Sequence, residues 1–346
     1  MIAAGGTAGH VVPALAVADE LRTDGSQVVF AGGARAEAQL VPAAGFELVP
    51  FRVQGLSRTN PLKALAALGQ AVAATVRAWR LIGSLRPDAV MGGGGYVAGP
   101  VGLAAVLRRR PLVLTEADSH LGLTNRLLAP FARRVGLAFA IPGRTPPRYV
   151  VTGRPIPPPA GDRGAARAHF GVPEGRPLVV VVGGSLGARS INEAAIEAFG
   201  QDGEVEVIHA AGDRDLPSLR QRPVGPGYRL FGYIDDFDQA LAAADLVVSR
   251  SGGSVFEIAA AGCPAVLVPY PYAAADHPAG NAAWMSDAGA AVVIDDDRLD
   301  AALLASTVRG LLDEPGRLAQ MREASLSIAR PGAAAAVAGL LREAAA

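Results

Sequence analysis

The chain has 346 residues, half of them hydrophobic, and its 32 basic residues balance 32 acidic ones. This length suits two domains of ordinary size, and the apolar fraction excludes a largely disordered protein. A net charge of zero argues against a dedicated nucleic-acid-binding protein. Cys263 is the single cysteine, which excludes an intramolecular disulfide, and we expect it to be a small buried side chain in a reducing compartment.

Short apolar runs recur along the chain, and each is followed by glycines and then by a helical pattern. Their β-branched residues do not alternate with polar ones, so we predict strands that are buried on both faces of a sheet. Because helical stretches separate these strands, the sheets are predicted to be parallel and of the α/β class. The predicted strands span residues 27–33, 88–95, 111–116, 177–185, 205–212, 244–253 and 264–270.

Two stretches repeat one plan of strand, glycine turn and helix. The first is "AAGGTAGHVVPALAVADEL", near the start, and the second is "VVGGSLGARSINEAAIEAF", which begins at residue 181. Two Rossmann-like domains are the simplest explanation, with an N-terminal domain at 1–150, a Pro- and Gly-rich linker at 151–163 and a C-terminal domain at 164–346. For the last helix of the C-terminal domain, the sequence also allows packing against the N-terminal domain. A ligand is expected in a cleft beyond the carboxyl ends of the strands.

Neither glycine turn matches the dinucleotide-binding fingerprint or the phosphate loop with its lysine. Each places backbone N–H groups at a helix N-terminus beside a hydroxyl, an arrangement that suits an anion such as pyrophosphate. A tight strand-to-helix turn with a Ser or Thr cap explains each turn alone equally well. The occurrence of the turn in both halves favours phosphate binding in at least one of them.

The segment 51–86 combines apolar and basic side chains. Its apolar residues recur at helical spacing and are Leu62, Leu65, Leu68, Val72, Val76 and Trp79. Basic residues surround them, namely Arg52, Arg58, Lys63, Arg77, Arg80 and Arg86, and Arg108, Arg109 and Arg110 follow. This pattern fits contact with anionic lipid, although the residues alone favour the core face of an ordinary helix. We find no signal-like segment and no run of about 18 apolar residues, so we expect a soluble protein or one that lies on a membrane surface.

In the C-terminal half, "SRSGGSVFEIAAAG" predicts a strand end, a turn of small residues and a helix start. Glu257 falls in the first turns of that helix. It either complements the helix dipole or accepts hydrogen bonds from a vicinal diol such as a ribose. Asp276, His277 and Asn281 are expected just before a further helix, and as an isolated string they need be no more than its N-cap region.

Several stretches of the chain resemble the MurG family in order and spacing. They are "GGTAGHVVPALAVADEL", "GGGGYVAGPVGLAA", "LTNRLLAPFARRV", "VVGGSLGARSINEA", "GYIDDFDQALAAADLVVSRSGGSVFEIAAAGCPAVLVPY" and "DHPAGNAAWMSDAGAA". MurG enzymes transfer N-acetylglucosamine to lipid I and so form lipid II for peptidoglycan at the cytoplasmic face of the bacterial membrane. The resemblance implies an α/β protein of the GT-B fold, with two Rossmann-like parallel-sheet domains facing a central cleft. It also implies an inverting, metal-independent transferase without a cofactor, peripheral on the inner face of the cell membrane, with other cell-wall synthesis enzymes as candidate partners.

The resemblance implies that the C-terminal domain binds UDP-N-acetylglucosamine. Ser185 would contact the donor pyrophosphate, helped by the neighbouring backbone amides. Tyr233 and Ile234 would frame the uracil, Glu257 would hold the ribose hydroxyls, and Asn281 and its neighbourhood would contact the sugar. The full donor-side set is Gly184, Ser185, Gly187, Tyr233, Ile234, Ser251, Gly252, Glu257, Asp276, His277 and Asn281.

By the same resemblance, the N-terminal domain faces an acceptor sugar linked to a polyprenyl diphosphate. Thr7 and His10 lie on the first glycine turn. His10 is the candidate base for the 4-hydroxyl of N-acetylmuramic acid, because a histidine titrates near neutral pH. A role of His10 in positioning the acceptor is nearly as well supported. The other residues implied on the acceptor side are Gly9, Tyr96, Glu116, Asp118 and Asn125.

The departing UDP needs its negative charge stabilised, and amides at a helix N-terminus do this without a metal. Glycosyltransferases of another fold use a metal bound by Asp-x-Asp instead. This chain contains "DRD" at 213–215 and "DFD" at 236–238, which we interpret as solvated turn or helix-cap carboxylates. We therefore predict no obligatory metal.

The chain departs from the family pattern where the sugar and the acceptor are bound. Pro278 stands where the family has a glutamine, and "TEAD" at 115–118 replaces His-Glu-Gln-Asn. Arg154 and Pro157 occupy the positions of an asparagine and an arginine. The first strand looks clipped at its start, which a misassigned start codon would explain.

These departures leave three functions open. The first is a divergent MurG with the usual reaction, and the second is a related GT-B transferase with a different UDP-sugar or lipid acceptor. The third is a non-catalytic UDP-binding protein on the membrane surface. A sugar-nucleotide 2-epimerase ranks below these, because it needs several carboxylates for proton abstraction and we place only Glu116 and Asp118 as candidates.

Overall fold

The computed structural model describes residues 1–53, 61–184, 187–271 and 277–346, without the side chains of 61–68, 277 and 278. The backbone forms two compact units. Unit 1 comprises Met1–Pro157 and Arg330–Ala346, and unit 2 comprises Pro158–Ala329. The chain therefore leaves unit 1 between two prolines and returns to it for the last helix.

Unit 1 contains a parallel sheet of seven strands in the order β3-β2-β1-β4-β5-β6-β7. The strands are β1 (Ile2–Ala3), β2 (Val29–Gly32), β3 (Glu47–Pro50), β4 (Val90–Gly92), β5 (Leu112–Glu116), β6 (Arg134–Leu137) and β7 (Tyr149–Val151). The helices between them are α1 (Ala8–Arg22), α2 (Ala36–Ala43), α3 (Pro61–Leu85), α4 (Ala98–Leu107) and α5 (Leu123–Leu128). Neighbouring strand residues such as Phe30 and Ala31 belong to two different hydrophobic clusters. Because successive strand side chains point to opposite faces, this sheet is buried on both sides.

Unit 2 contains a parallel sheet of six strands in the order β10-β9-β8-β11-β12-β13. The strands are β8 (Leu178–Val182), β9 (Glu206–Ala210), β10 (Tyr228–Phe231), β11 (Leu246–Ser249), β12 (Ala265–Leu267) and β13 (Ala291–Val293). The helices are α6 (Arg163–His169), α7 (Arg189–Phe199), α8 (Leu216–Leu219), α9 (Phe237–Ala243), α10 (Val255–Ala260), α11 (His277–Asp287), α12 (Ala301–Leu312) and α13 (Pro315–Ile328). Both central strands, β8 and β11, are buried along their whole length. Cys263 is also buried, as predicted, and burial raises the pKa of its thiol to about 12.

The predicted parallel α/β sheets are confirmed, and the structure adds strands that the sequence did not indicate. Four of them, β3, β7, β10 and β13, lie at the edges of the two sheets. The edge strands are only partly buried, with patterns that include half-exposed residues. In β3 and β10 a charged residue, Glu47 or Arg229, stands within the strand, so a continuous apolar run is missing there. The apolar residues of β7 and β13 form short runs that the sequence analysis did not assign to strands.

The last helix, α14 (Ala333–Ala345), belongs to unit 1 and packs against α1. Its buried residues, among them Val337 and Ala338, join the hydrophobic cluster of Val11 and Ala14. Among the described residues, only the segment Pro315–Ala345 has the length and hydropathy of a membrane span. That segment is divided into α13 and α14, and each is too short for a hydrocarbon core about 30 Å thick at about 1.5 Å per residue.

Helix α3 turns a different face to the core than the sequence indicated. Ala74, Ala78 and Ile82 are buried, whereas Val72 and Trp79 are 59% and 41% exposed. The interpretation of the apolar stripe as a core face is therefore wrong for its described members, which are Val72, Val76 and Trp79. Small alanines form the core face because α3 packs closely against α4. Arg58 lies outside the described residues, as do the side chains of Leu62, Lys63, Leu65 and Leu68.

Two turn backbones meet at the carboxyl ends of β1 and β4. A Cβ atom on Gly95 would lie 1.9 Å from the carbonyl oxygen of Gly5. Gly95 also has a φ of +78°, a conformation that is costly for any residue with a side chain. Unit 2 repeats the arrangement, since a Cβ on Gly187 would lie 1.9 Å from the carbonyl oxygen of Ala211. Only glycine allows these turns to approach so closely.

We predict that Gly95→Ala lowers the free energy of unfolding of unit 1 by about 2–4 kcal/mol, because it combines a backbone clash with a positive φ. Gly339→Ala is the matched control in the same unit, since nothing lies within 4 Å of a Cβ at that helical position. It should be neutral or stabilising by up to about 1 kcal/mol. Urea denaturation measures both, and equal stabilities of the two variants would contradict the close approach.

Candidate functional site

The topology of unit 1 brings three loops to one edge of the sheet. Strands β1 and β4 are neighbours, and β5 lies beside β4. The order of strands reverses between β1 and β4, and in open α/β sheets the crevice at such a reversal is the usual ligand site. Every residue assigned to the acceptor side from the sequence lies at the carboxyl end of β5, in the loops that follow β1, β4 and β5, or in the first turn of α1 or α5.

His10 lies in the first turn of α1 and is held by its neighbours. Its Nδ1 is 3.3 Å from the hydroxyl of Thr7. The other edge of the ring lies on Gly94, where an added Cβ would be 2.5 Å from the imidazole Cδ2. Thr7 occupies the N-cap position of α1, but its side chain makes no capping hydrogen bond. The Thr7 hydroxyl therefore faces His10, and the simple Thr cap that the sequence left as an alternative for this turn is not formed.

The surroundings of His10 keep its imidazole neutral at pH 7. Burial lowers the pKa of His10 from its ordinary value of 6.5, and the Arg154 guanidinium lowers it further. The negative charges of Asp118 and Glu37 oppose this effect and raise the pKa. Arg154 also donates a hydrogen bond to the carbonyl oxygen of Gly9, on the same turn. A neutral imidazole is the form that can accept a proton.

Glu37 is part of this site and was missed from the sequence. Its carboxylate is 1% exposed and accepts hydrogen bonds from the backbone N–H groups of Gly6 (2.8 Å) and Gly33 (2.7 Å). The Gly6 amide therefore already binds an anionic group of the protein itself, which removes it from the donors expected for a phosphate. The sequence signal is weak, because an acidic residue in the first turn of a helix such as α2 ordinarily indicates only dipole complementarity.

Glu116 and Asn125 support the loop after β5. Glu116 is buried and accepts hydrogen bonds from the amides of Asp118 (3.2 Å) and Gly122 (2.8 Å). Asn125 donates to Glu116 and to the carbonyl oxygen of Thr115, both at 2.9 Å. Burial raises the pKa of Glu116, although these hydrogen bonds oppose the shift. Both side chains thus shape the loop that carries Asp118.

Tyr96 follows the glycines after β4 and is 47% exposed. The guanidinium of Arg35 lies 5.7 Å from the centre of its ring. A cavity of about 320 Å³ opens here, and its wall includes Gly6, Glu37 and Arg52. A polar, partly basic cavity beside the His10 turn suits an acceptor that carries negative charge.

In unit 2, the second glycine turn follows β8 at the corresponding reversal of strand order, beside β11. Gly184 and Gly187 adopt positive φ angles of +83° and +73°. The N–H of Gly187 donates to the carbonyl oxygen of Gly184 (3.0 Å), and α7 begins two residues later. Ser185 lies outside the described residues, and so does Asp276. Only the backbone of His277 is described, as the first residue of α11.

The turn after β11 is braced from α11. Asn281 is buried and its amide donates to the carbonyl oxygens of Ser251 (3.0 Å) and Gly252 (3.4 Å). Glu257 lies in the first turn of α10, partly buried. Burial raises the pKa of Tyr233, and the negative charges of Asp235 and Glu257 add to the shift, so Tyr233 lies within electrostatic range of Glu257.

Tyr233 and Ile234 follow β10 and differ in exposure. Tyr233 is 53% exposed, whereas the side chain of Ile234 is buried. An exposed ring is free to stack on a planar ligand, and a buried neighbour holds its own backbone in place. This difference agrees with the sequence-based assignment of an aromatic contact at Tyr233 and a backbone contact at Ile234.

Arg250 is a second residue that the sequence did not single out. It donates to the carbonyl oxygens of Val268 (3.2 Å) and Pro269 (3.1 Å), beyond the end of β12. It also donates to Ser190 at the start of α7 (2.8 Å) and forms an ion pair with Asp296 (2.6 Å). One guanidinium thus connects the ends of β11 and β12 to the helix that follows the glycine turn.

The two Asp-x-Asp sequences differ from each other in the structure. Asp236 is largely exposed and lies 3.2 Å from His169, as expected of a solvated helix-start residue. Asp215 is only 5% exposed, so the expectation of a solvated carboxylate is wrong there. Arg214 and Asn192 bind Asp215 inside unit 2 at 2.7 Å and 3.1 Å. Among the described residues no three His, Cys, Asp or Glu side chains are grouped as metal ligands, and metal independence stays a prediction.

Comparison with known proteins gives matches along nearly the whole chain. Residues 1–137 match the glycosyltransferase family 28 N-terminal domain, and residues 178–337 match the family 28 C-terminal domain. The UDP-N-acetylglucosamine–N-acetylmuramyl-(pentapeptide) pyrophosphoryl-undecaprenol N-acetylglucosamine transferase of Salinibacter ruber is 42% identical over 98% of this chain and 94% of its own. The enzyme of the same name from Halorhodospira halophila is 43% identical over 99% and 97%.

The chain belongs to the MurG family. The crystal structure of Acinetobacter baumannii MurG superposes with a TM-score of 0.77 at 31% identity, covering 99% of this chain and 98% of that one. This agreement confirms the GT-B fold that the motifs predicted. It also confirms the assignment to the glycosyltransferases that the resemblance implied.

One departure from the MurG pattern lies at the His10 turn. The family asparagine is replaced by Arg154, whose guanidinium contacts Gly9 and adds a positive charge beside His10. The charge of Asp118 acts on His10 in the opposite sense. Arg154 and Asp118 therefore act on the same imidazole in opposite directions. The side chain of Pro278 lies outside the described residues.

We predict that His10 titrates below its ordinary pKa of 6.5 and that Arg154→Asn moves the midpoint upwards. The substitution removes a positive charge that disfavours the imidazolium ion. NMR titration of the histidine ring signals measures both midpoints. Arg133→Asn, an exposed arginine elsewhere in unit 1, should leave the His10 midpoint unchanged. A midpoint that falls or stays constant in Arg154→Asn would exclude the electrostatic role of Arg154.

Proposed function

We propose that this protein transfers N-acetylglucosamine from UDP-N-acetylglucosamine to the 4-hydroxyl of N-acetylmuramic acid in lipid I, with inversion, and so forms lipid II. The observation that carries the proposal is the identity of more than 40% with transferases of that name, which extends over both units. The residues described at the ends of β1, β4, β8 and β11 are consistent with the chemistry that this reaction requires.

On the acceptor side, we assign His10 as the base. The neutral imidazole takes the proton of the attacking hydroxyl while a bond forms between that oxygen and the anomeric carbon. We assign the tautomer in which Nδ1 carries the hydrogen and donates it to the Thr7 hydroxyl, 3.3 Å away, because Nε2 is then the nitrogen that can accept this proton. Gly9, Tyr96 and Asp118 are proposed to face the acceptor, whereas Glu116 and Asn125 act through the loop that they support.

On the donor side, the bond between the anomeric carbon and the diphosphate breaks, and UDP leaves with its negative charge. Amides of the turn around Gly184 and Gly187, at the N-terminus of α7, are proposed to stabilise that charge. Ser185, Ser251 and Gly252 are assigned to the same donor site. No step requires a metal in this scheme.

Recognition of the nucleoside is assigned to the turns after β10 and β11. Tyr233 is proposed to contact the uracil with its exposed ring, and Ile234 with its backbone. Glu257 is proposed to accept hydrogen bonds from the ribose hydroxyls. Asn281 holds the backbone at Ser251, so its part in sugar binding is proposed to be the positioning of that turn. Asp276 and His277 are assigned to the same donor site.

The decisive experiment incubates the purified protein with UDP-N-acetylglucosamine and a short-chain lipid I analogue. We expect lipid II formation, and we expect His10→Gln to lower kcat by about 10²–10⁴-fold, the contribution of a general base. His169→Gln, which changes an exposed histidine of unit 2, is the control and should keep full activity.

Other outcomes would identify the alternatives. UDP release with a different sugar or acceptor only would indicate a related transferase. Tight UDP binding without turnover under any condition would indicate a non-catalytic protein. A His10→Gln enzyme with unchanged kcat would exclude the base assignment while leaving the transfer reaction itself supported.

We further propose that unit 1 binds the inner, cytoplasmic surface of the cell membrane, where other cell-wall synthesis enzymes are candidate partners. Exposed apolar side chains lie on α3, α4 and α5 and in the turn after α5. They are Val72, Val76, Trp79, Leu85, Leu103, Leu107, Leu123, Leu127 and Phe131. Helix α4 packs against both α3 and α5. Arg108 stacks on Trp79, with 3.4 Å between its guanidinium carbon and the ring centre. Apolar residues accompanied by arginines favour anionic lipid.

We predict that Val76→Glu combined with Leu107→Glu weakens binding to phosphatidylglycerol vesicles by more than about tenfold, because two apolar contacts are lost and negative charge is added. Leu326→Glu is the control, since Leu326 is comparably exposed but belongs to unit 2. Vesicle sedimentation measures binding. An equal loss of vesicle binding in the double variant and in Leu326→Glu would argue against this surface. So would wild-type binding that does not depend on the charge of the lipid.

A further inference from the structure

Glu37 joins two loops that are distant in the sequence. One oxygen of its carboxylate accepts the N–H of Gly33, at the end of β2, and the other accepts the N–H of Gly6, which is 31 residues away. The side chain is 1% exposed. Because a carboxylate loses its hydration on burial, such a group is tolerated only when hydrogen bonds replace the lost water.

The backbone around Glu37 consists of glycines where a side chain would collide with it. A Cβ on Gly5 would lie 2.7 Å from Oε1, and a Cβ on Gly33 would lie 2.6 Å from the same atom. A Cβ on Gly32 would lie 2.8 Å from Cγ of Glu37. Three glycines therefore make room for one carboxylate. A residue that only complements the dipole of α2 would need none of this space.

The contacts of Glu37 continue to His10. Gly6, with a φ of +103°, directly precedes Thr7, the N-cap residue of α1, and His10 follows in the first helical turn. Gly5 contacts Gly95 in the turn after β4, and the neighbouring Gly94 lies against the His10 ring. A displacement of Gly6 would therefore move Thr7 and tilt the imidazole.

We propose that Glu37 is a positioning residue for the transfer reaction, which holds the turn that carries Thr7 and His10 and supplies a negative charge behind it. This inference rests on the proposed function of His10 as the base. Three charged groups face His10 from different elements: Arg154 after β7, Asp118 after β5, and Glu37 on α2. Glu37 lies in α2 and not in the loops after β1, β4 and β5 that are proposed to face the acceptor.

Two effects on His10 follow from this role. Loss of the two hydrogen bonds lets the turn shift, and a misplacement of about 1 Å costs about 10²-fold in rate at a reacting centre. Loss of the negative charge leaves Arg154 less opposed, so the pKa of His10 falls further below its ordinary value. A residue that merely stabilised the fold would produce neither a selective loss of kcat nor a change in the titration of one histidine.

The test compares Glu37→Gln with Glu37→Asp. The glutamine keeps the volume, but its NH₂ group must face one of the two backbone donors. We expect kcat to fall about ten- to hundredfold, KM for UDP-N-acetylglucosamine to stay within twofold, and the His10 titration midpoint to move to lower pH. The aspartate keeps the charge but is too short for both amides, so it should lower kcat with a smaller change in the His10 midpoint.

The control is Glu47→Gln, which removes an exposed carboxylate from β3 of the same unit and should change neither quantity. An unchanged kcat in both Glu37 variants, or an unchanged His10 midpoint in folded Glu37→Gln, would overturn the proposal. If Glu37→Gln does not fold, Glu37→Asp is the test. A lower kcat together with loss of the hydrogen-bonded Gly6 amide signal in NMR would support the proposal, and an unchanged kcat would overturn it. The NMR measurements need no acceptor, so they remain informative if the wild-type protein fails to make lipid II.

Discussion

The direct contact between the turns after β1 and β4 is the constraint on which the rest of unit 1 depends. The carbonyl oxygen of Gly5 occupies the space that a side chain on Gly95 would need. Strands β1 and β4 are hydrogen-bonded neighbours, so their turns have to pass each other at van der Waals distance. Unit 2 meets the same requirement with Gly187 against Ala211. These glycines are therefore needed for the close packing of the two turn backbones, and that packing positions the residues of the site.

Several buried charged side chains in this molecule hold loops in place through hydrogen bonds to the backbone. Glu37 and Glu116 each accept hydrogen bonds from two backbone amides, and Arg250 donates to two backbone carbonyls. Glu37 and Arg250 each connect loops that follow neighbouring strands, whereas Glu116 holds the single loop after β5. Such groups are costly to bury unless their hydrogen bonds are complete. In unit 1 the hydrogen bonds of Glu37 and Glu116 hold glycine-rich loops in place, and this explains how they can present His10 in one orientation.

The sequence predicted the central strands, the two glycine turns and most residues near them, because each is encoded in a few consecutive positions. It did not predict the edge strands, because β3 and β10 each contain a charged residue and the apolar runs of β7 and β13 are short. It also assigned Val72 and Trp79 to a core that Ala74 and Ala78 form instead. Helical spacing shows which residues share one face of a helix, but α3 has two apolar faces and the spacing does not show which of them is buried. The face with the smaller side chains is buried, because α3 packs closely against α4.

Local pattern was sufficient for the parallel α/β class, the paired strand–turn–helix units and the family, since periodicity and short motifs are properties of neighbouring residues. The partnership of Glu37 with Gly6, the burial of Asp215 and the charges that face His10 depend on the folded arrangement. These contacts join segments that are 20 or more residues apart, and the order of strands in each sheet decides which loops meet. That order is set by packing over the whole sheet, so no short stretch of the chain encodes it.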